Sequence, residues 1–218
     1  MRVLPLGTRD RIATSLWLLV GSMLFIELLL ELADYGFVGQ TDWRAIAIGY
    51  GGFWRQLLSG EQPLFSLQPY TMFLSHAFLH GGFIHFIMNS VILLALGKFI
   101  SERTGSAAML LLFASSAISG AIVFALISDS TGPAVGASGA VFGFIGLWQY
   151  WEVVARRNRG LSLNPVLRTI FGLIIINLAI ALVLQGALAW EAHLGGFVAG
   201  FALGPFMTIR ARSRGFVF

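Results

Sequence analysis

Long apolar segments dominate this sequence and limit what it can fold into. A membrane-spanning helix needs about 20 mainly apolar residues, with a range of roughly 17 to 25. Six segments are candidates for such helices: residues 12–33, 82–97, 104–128, 138–151, 169–190 and 192–209. The fourth reaches a spanning length only if it continues past Glu152 to Ala155. We therefore predict an all-α membrane protein with six transmembrane helices.

The composition supports this class and excludes others. Hydrophobic residues make up 57% of the 218 residues and charged residues only 11%, whereas a soluble domain carries about 25% charged residues. The net charge of +4 comes from few charges of either sign, so we expect no nucleic-acid partner. The chain has no cysteine, which excludes disulfides, thiolate metal sites and a cysteine nucleophile.

Basic residues predict the orientation in the membrane. With both termini in the cytoplasm, twelve of the 14 lysine and arginine residues lie on the inner side: Arg2, Arg9, Arg11, Lys98, Arg103, Arg156, Arg157, Arg159, Arg168, Arg210, Arg212 and Arg214. Only Arg44 and Arg55 fall outside, in the long first loop at residues 34–81. We therefore expect a single domain over residues 1–218 that begins with a short cytoplasmic tail at residues 1–11. No cleavage site for a signal peptide is evident.

The first loop and the helix before it carry further polar and aromatic residues. The loop is rich in glycine and aromatic side chains, which is typical of short helices at the membrane interface. Glu27 and Glu31 are four residues apart and share one helix face. We expect that face to lie at the interface or against protein; the alternative is a functional pair of intramembrane carboxylates.

Four polar residues on the apolar segments fall at a similar depth. At about 1.5 Å per helical residue, Ser138 and His193 lie about 27 Å and 25 Å above the arginines that end their segments. His85 lies at about 20 to 27 Å, and Asn89 follows it on the same helix face. In a hydrocarbon core about 30 Å thick, Ser138 and His193 lie slightly below the outer boundary, and the two histidines, the serine and the asparagine come out in one layer.

Glycines follow two of these polar residues at helical spacing. Gly139 and Gly143 follow the serine, and Gly196 and Gly200 follow the histidine of the last segment. Glycines four residues apart allow two membrane helices to approach closely. They could be generic packing glycines, but their registration with the serine and the histidine favours a common interface.

The four polar residues permit acyl-transfer chemistry. A serine hydroxyl is a weak nucleophile until a base takes its proton, and His193 is the only plausible base for Ser138. The nearby Glu191 lies on another face, so we predict a Ser–His dyad. Phe142, one turn after Ser138, could orient the imidazole by stacking on it.

The same residues supply donors for an oxyanion. These are the backbone N–H of Ser138, at the unpaired amino end of its helix, and the side chains of His85 and Asn89. Gly136 permits unusual backbone angles just before the nucleophile. The histidines lack carboxylate partners at suitable spacing, so no metal site and no cofactor are predicted.

These patterns resemble the rhomboid intramembrane serine proteases in their minimal six-span bacterial form. The resemblance is carried by the motifs His80-x4-His85-x3-Asn89, Gly136-Ala137-Ser138-Gly139 and Ala192-His193-x2-Gly196-x3-Gly200. It implies that Ser138 is the nucleophile, His193 the general base and acid, and His85 and Asn89 the oxyanion donors. Phe142 then stacks on the base, and His76 and His80 brace the first loop.

The resemblance also implies a substrate and a location. It implies cleavage of single-span membrane proteins near the outer face of the bilayer, through an acyl-enzyme, in a bacterial plasma membrane. Substrate would arrive laterally, near residues 165–186 and the loop at residues 185–191. One motif departs from the family, because Thr71 and Met72 replace a Trp-Arg pair before the second span. A Trp54-Arg55 pair occurs earlier in the loop.

Two other functions stay open from the sequence. A proteolytically inactive relative that binds membrane clients would need a lost nucleophile or base, and both residues are present. A channel or transporter lined by the histidines and Glu27 would be favoured by internal repeats or central charges, and neither occurs in this sequence.

Overall fold

The computed structural model describes residues 12–183 and 188–218, and these residues are helical with loops between them. The helices are α1 (Thr14–Asp34), α2 (Trp43–Gly51), α3 (Gln68–Ser75), α4 (Phe83–Thr104), α5 (Ser106–Ile127), α6 (Ser138–Asn158), α7 (Asn164–Val183), α8 (Trp190–Ala202) and α9 (Gly204–Arg212). Short 3-10 turns occupy Arg55–Leu58 and His76–Phe78. The predicted all-α class is confirmed. The predicted tail at residues 1–11 and part of the predicted access loop lie outside the described residues.

Several helices are suited to a membrane. Within the described ranges, α1, α4, α5 and α7 are each long and apolar enough to span one, and the pair α8 and α9 forms a fifth span if it is counted as one. This supports the predicted multi-pass membrane protein. The count of six depends on α6, which has 21 residues but carries Gln149, Glu152 and Arg156 in its C-terminal half. That count and the cytoplasmic position of both termini stay predictions.

Three helix bounds differ from the sequence-based expectation. The last segment was expected to be continuous, but α8 and α9 meet at a 44° bend, next to Pro205, which cannot donate a helical hydrogen bond. α4 continues to Thr104 rather than ending at residue 97, and α7 begins at Asn164 rather than at residue 169. In both cases the helix extends into polar sequence, which hydropathy excludes from a span.

α6 is the central helix of the bundle and packs against α4, α5 and α8. Its buried side includes Phe144, Leu147 and Trp151, which join the main hydrophobic core. The indole N–H of Trp151 donates to Thr208 Oγ1 on α9 at 3.0 Å. α6, which begins at Ser138, is therefore anchored in the main hydrophobic core.

Arg44 anchors the first loop to α1. Its guanidinium contacts Glu27 at 2.9 Å, Glu31 at 3.0 Å and Asp34 at 2.5 Å, and it donates to the carbonyl of His80 at 2.9 Å. Glu27 is buried, with 1% exposure. The shared face of the two glutamates is therefore directed at protein, as expected, and its partner is a basic residue of the loop.

A second arginine connects the first loop to the end of α5. Arg55 donates to the carbonyl of Ser128, and Gln56 donates to the carbonyl of Thr131 at 2.7 Å. Trp54 donates to the carbonyl of Ile48 within the loop, whereas Met72 is fully buried. Arg44 and Arg55, the two basic residues predicted to lie outside, therefore both anchor the loop.

Candidate active site

The segment before Ser138 is fixed by the first loop. Phe53 and Ala134 exchange both backbone hydrogen bonds, at 2.9 and 3.0 Å, in an isolated antiparallel bridge. The amide of Gly136 donates to the carbonyl of His76 at 2.9 Å. The backbone that leads into α6 is therefore held on two sides, and the start of that helix has a defined position.

Gly136 is required in this segment by both its conformation and its surroundings. Its φ is +112°, a region that residues with a Cβ rarely adopt. A Cβ at this position would lie 2.7 Å from Cε1 and 2.8 Å from Nε2 of His85. Because glycine has no side chain, the His85 ring can pack directly against the backbone two residues before Ser138.

Ser138 is the first residue of α6 and is half-buried. An N–H in the first turn of a helix has no partner within the helix, which suits an oxyanion donor. Within the described part of the chain, the Ser138 hydroxyl makes no hydrogen bond to the His193 ring. Such contacts are often long in substrate-free enzymes and shorten when substrate binds.

His193 lies on the first turn of α8, with 7% exposure. Its imidazole stacks on the ring of Phe142, with centroids 4.3 Å apart and an interplanar angle of 5°. Phe142 follows Ser138 by one turn of α6, so it occupies the same helix face. The imidazole is therefore held over the face of α6 that carries Ser138.

Glycines bring α6 and α8 together beside these residues. A Cβ at Gly196 would overlap the carbonyl of Gly139, and a Cβ at Gly200 would overlap the carbonyl of Gly143. A Cβ at Gly139 would lie 3.4 Å from the carbonyl oxygen of Ala192. The backbones of the two helices are therefore in contact from the first turn of α6 onward.

His85 and Asn89 lie on α4, on the other side of Gly136. The Asn89 amide donates to the carbonyl of His85 at 2.9 Å, and one N–H of that amide is left for another acceptor. The amide of Gly81 donates to Nδ1 of His85 at 3.4 Å, so the proton of the neutral ring is on Nε2. Nε2 and Cε1 form the edge of the ring that lies against Gly136.

His76 and His80 lie in the first loop, and the His80 ring contacts the His85 ring edge-on, with centroids 5.2 Å apart. Burial lowers the pKa of His76 to about 4, although a hydrogen bond with the Met72 carbonyl acts in the opposite direction. Burial also lowers the pKa of His80 to about 3, with smaller contributions from His85 and Arg44. Both rings are therefore neutral at pH 7. His76 packs against Phe53 of the loop, whereas His80 packs against Phe86 of α4.

Asn177 is the site residue that the sequence analysis missed. Its Oδ1 lies 2.5 Å from Nδ1 of His193. The signal was present, because Asn177 is a polar residue in the middle of an apolar segment. The sequence does not show which face of α7 meets α8, so it does not connect Asn177 to His193.

An apolar cavity opens beside His193. Its volume is about 600 Å³, and it lies between α7 and α8, with Asn177, Phe142 and Trp190 among its lining residues. Among the described residues, no group of three or more histidine or acidic side chains is arranged to hold a metal ion. The site therefore offers hydroxyl, imidazole and amide groups next to an apolar crevice.

Comparison with known proteins identifies the family. A model of the rhomboid domain matches residues 67–210. The chain belongs to the rhomboid family. It is therefore an integral multi-pass membrane protein of a family that contains intramembrane proteases.

Individual relatives have the same family name. RHOMBOID-like protein 5 of Arabidopsis thaliana is 32% identical over 63% of this chain and 44% of its own length. Rhomboid protease GluP of Bacillus subtilis is 31% identical over 65% of this chain and 27% of its own length. YdcA of Bacillus subtilis is 25% identical over 74% of this chain and 78% of its own length. The chain thus spans less than half the length of the first two relatives.

Proposed function

We propose that this rhomboid protein is an intramembrane serine endopeptidase that cleaves single-span membrane proteins with a Ser138–His193 dyad. The stacking of His193 on Phe142 carries the proposal, because Phe142 shares a helix face with Ser138. An imidazole held over that face can take the proton of the serine hydroxyl. The similarity to rhomboid protease GluP supports the same reaction class.

The reaction would proceed in two halves. His193 Nε2 takes the proton of Ser138 Oγ while Oγ bonds to the scissile carbonyl carbon, and the intermediate oxygen becomes negative. Collapse of the intermediate breaks the C–N bond, and His193 returns the proton to the leaving amine. In the second half a water loses its proton to His193 while its oxygen bonds to the carbonyl carbon of the Ser138 ester. Collapse of this intermediate breaks the C–Oγ bond, and His193 returns the proton to Oγ, which releases the carboxylic acid and restores the hydroxyl.

Three donors would stabilise the negative oxygen. They are the backbone N–H of Ser138, the Nε2–H of His85 and the free amide N–H of Asn89. Loss of one oxyanion donor typically costs about 10²- to 10³-fold in rate. Their position around Gly136 supports this role, because the oxyanion forms next to the nucleophile.

We propose that substrate reaches the dyad from the lipid through the apolar crevice between α7 and α8. A plasma membrane of a bacterium is the proposed location. A crosslink that stiffens the loop before α8 should then slow cleavage of transmembrane substrates more than hydrolysis of a small ester. Equal slowing of both reactions would contradict lateral access.

Cleavage by purified protein tests the proposed function. Detergent-purified protein is incubated with several fluorescent single-span substrates, and fragments are separated by electrophoresis. We expect fragments with the wild type and none with Ser138→Ala or His193→Ala. Ser115→Ala is the matched control, because Ser115 bonds only to carbonyls of its own helix and should leave cleavage unchanged. If the wild type cleaves none of the substrates, the inactive client-binding function is favoured.

A further inference from the structure

Asn177 makes two hydrogen bonds, and together they define which way its amide points. Its Nδ2 donates to the carbonyl of Leu173 at 2.8 Å, one turn earlier on α7. A flipped amide would place its oxygen against that carbonyl oxygen, and two acceptors repel each other. The amide oxygen is therefore the atom that faces His193, at 2.5 Å from Nδ1.

This contact determines the tautomer of His193. An amide oxygen can only accept a hydrogen bond, so Nδ1 of the imidazole must carry the proton. In the neutral ring, Nε2 is then unprotonated and has a free lone pair. That is the state a general base needs before it can take a proton.

The contact complements the stacking on Phe142. Parallel rings fix the plane of the imidazole, but they do not determine which ring edge points toward Ser138. A hydrogen bond at one edge determines this, because the ring can no longer rotate within its plane without losing the bond. Phe142 on α6 and Asn177 on α7 thus restrain different motions of the same ring.

The location of Asn177 makes an unrelated packing role a poor explanation. Among the described residues of α7, Val166 is the only buried one, so most of the helix faces lipid. A polar side chain in the middle of such a helix is costly unless it has partners. Asn177 directs its amide into the crevice beside His193 rather than along the lipid surface.

We propose that Asn177 is the positioning residue of the dyad, since its amide oxygen holds His193 with the proton on Nδ1 and leaves Nε2 free for Ser138. The proposal rests on the proposed protease function. It also makes the base depend on α7, because displacement of α7 from α8 separates the amide from the ring. The third member of the arrangement is then an uncharged amide where serine hydrolases commonly use a carboxylate.

Variants of Asn177 test the role through a split between kcat and KM. Asn177→Leu keeps the size of the side chain but removes the acceptor, and we expect kcat to fall by about 10- to 100-fold with KM changed by less than about 3-fold. Asn177→Asp keeps an acceptor and should stay within about 10-fold of the wild type. Ile176→Ala, a lipid-exposed neighbour, is the matched control and should not change either constant.

A spectrum of the wild type tests the tautomer without any change at Asn177. In ¹⁵N-histidine protein at pH 7.5, the signal of His193, identified by its loss in His193→Gln, should show a protonated Nδ1 and an unprotonated Nε2. An unprotonated Nδ1 would overturn the proposal, and so would equal kcat values for Asn177→Leu and the wild type. These outcomes differ from failure of the protease function, in which the wild type itself would cleave no substrate.

Discussion

Replacement of Gly136 by alanine is the change whose effect the structure predicts in most detail. The backbone there has φ +112°, and a side chain in this region costs of order 1–3 kcal/mol. The added Cβ would also lie 2.7 Å from Cε1 of His85, whereas ordinary contacts are 3.4–4 Å. The ring must therefore move away by at least about 0.7 Å.

Movement of His85 displaces an oxyanion donor. Loss of one such donor lowers the rate by about 10²- to 10³-fold, so we expect kcat of Gly136→Ala to fall by at least about 10²-fold. The free energy of unfolding should fall by only about 1–3 kcal/mol. We therefore expect most of the variant to stay folded, so the loss of kcat should come from the displaced donor and not from unfolding.

The assay compares Gly136→Ala with Gly132→Ala, a change four residues earlier in the same loop. Gly132 has no positive φ, and its added Cβ would come no closer than 3.8 Å to another atom, Ser130 Oγ. Cleavage of a fluorescent single-span substrate and thermal unfolding in micelles are measured for both variants. If Gly136→Ala retains kcat within about 3-fold of Gly132→Ala, the placement of His85 in the reaction is wrong.

Three further predictions concern stability. Gly196→Ala should lower Tm and cleavage because its Cβ overlaps the backbone of α6, whereas Gly172→Ala, which faces open space, should change neither; equal Tm values would contradict the close packing. Arg44→Met should cost about 3–5 kcal/mol by leaving Glu27 buried without its partner, and adding Glu27→Leu should recover part of that loss in an SDS titration. Because burial lowers the pKa of His76 to about 4, the unfolded state binds one more proton between about pH 6.5 and 4. The free energy of unfolding should therefore fall as the pH is lowered through this range. Its slope against pH should be smaller by about 1 kcal/mol per pH unit in His76→Gln, and an unchanged slope would contradict a neutral buried ring.

The helical class and the family were predictable from the sequence because both depend on local signals. Apolar length determines which segments can cross a bilayer, and the motif around Ser138 is contiguous in the chain. Helix bounds were less predictable. The bend before Pro205 and the extension of α4 to Thr104 occur in polar or glycine-containing sequence, where hydropathy carries little information.

The contacts between distant segments could not be predicted. Arg44 binds three carboxylates of α1, yet the sequence placed it only as an outside charge. Asn177 meets His193 because of how α7 is rotated against α8, and a single sequence does not encode that rotation in any readable pattern. The roles of Ser138 and His193 stay predictions of chemistry, since they concern a reaction rather than a fold.

Labelling with a fluorophosphonate tests the central claim most directly, because it reports an activated serine without any substrate. Purified protein is treated with the probe and the modified residue is identified by mass spectrometry. We predict modification of Ser138 in the wild type and at least about 10²-fold slower modification in His193→Ala. Modification of Ser138 at the same rate in both proteins, or none in the wild type, would contradict the dyad.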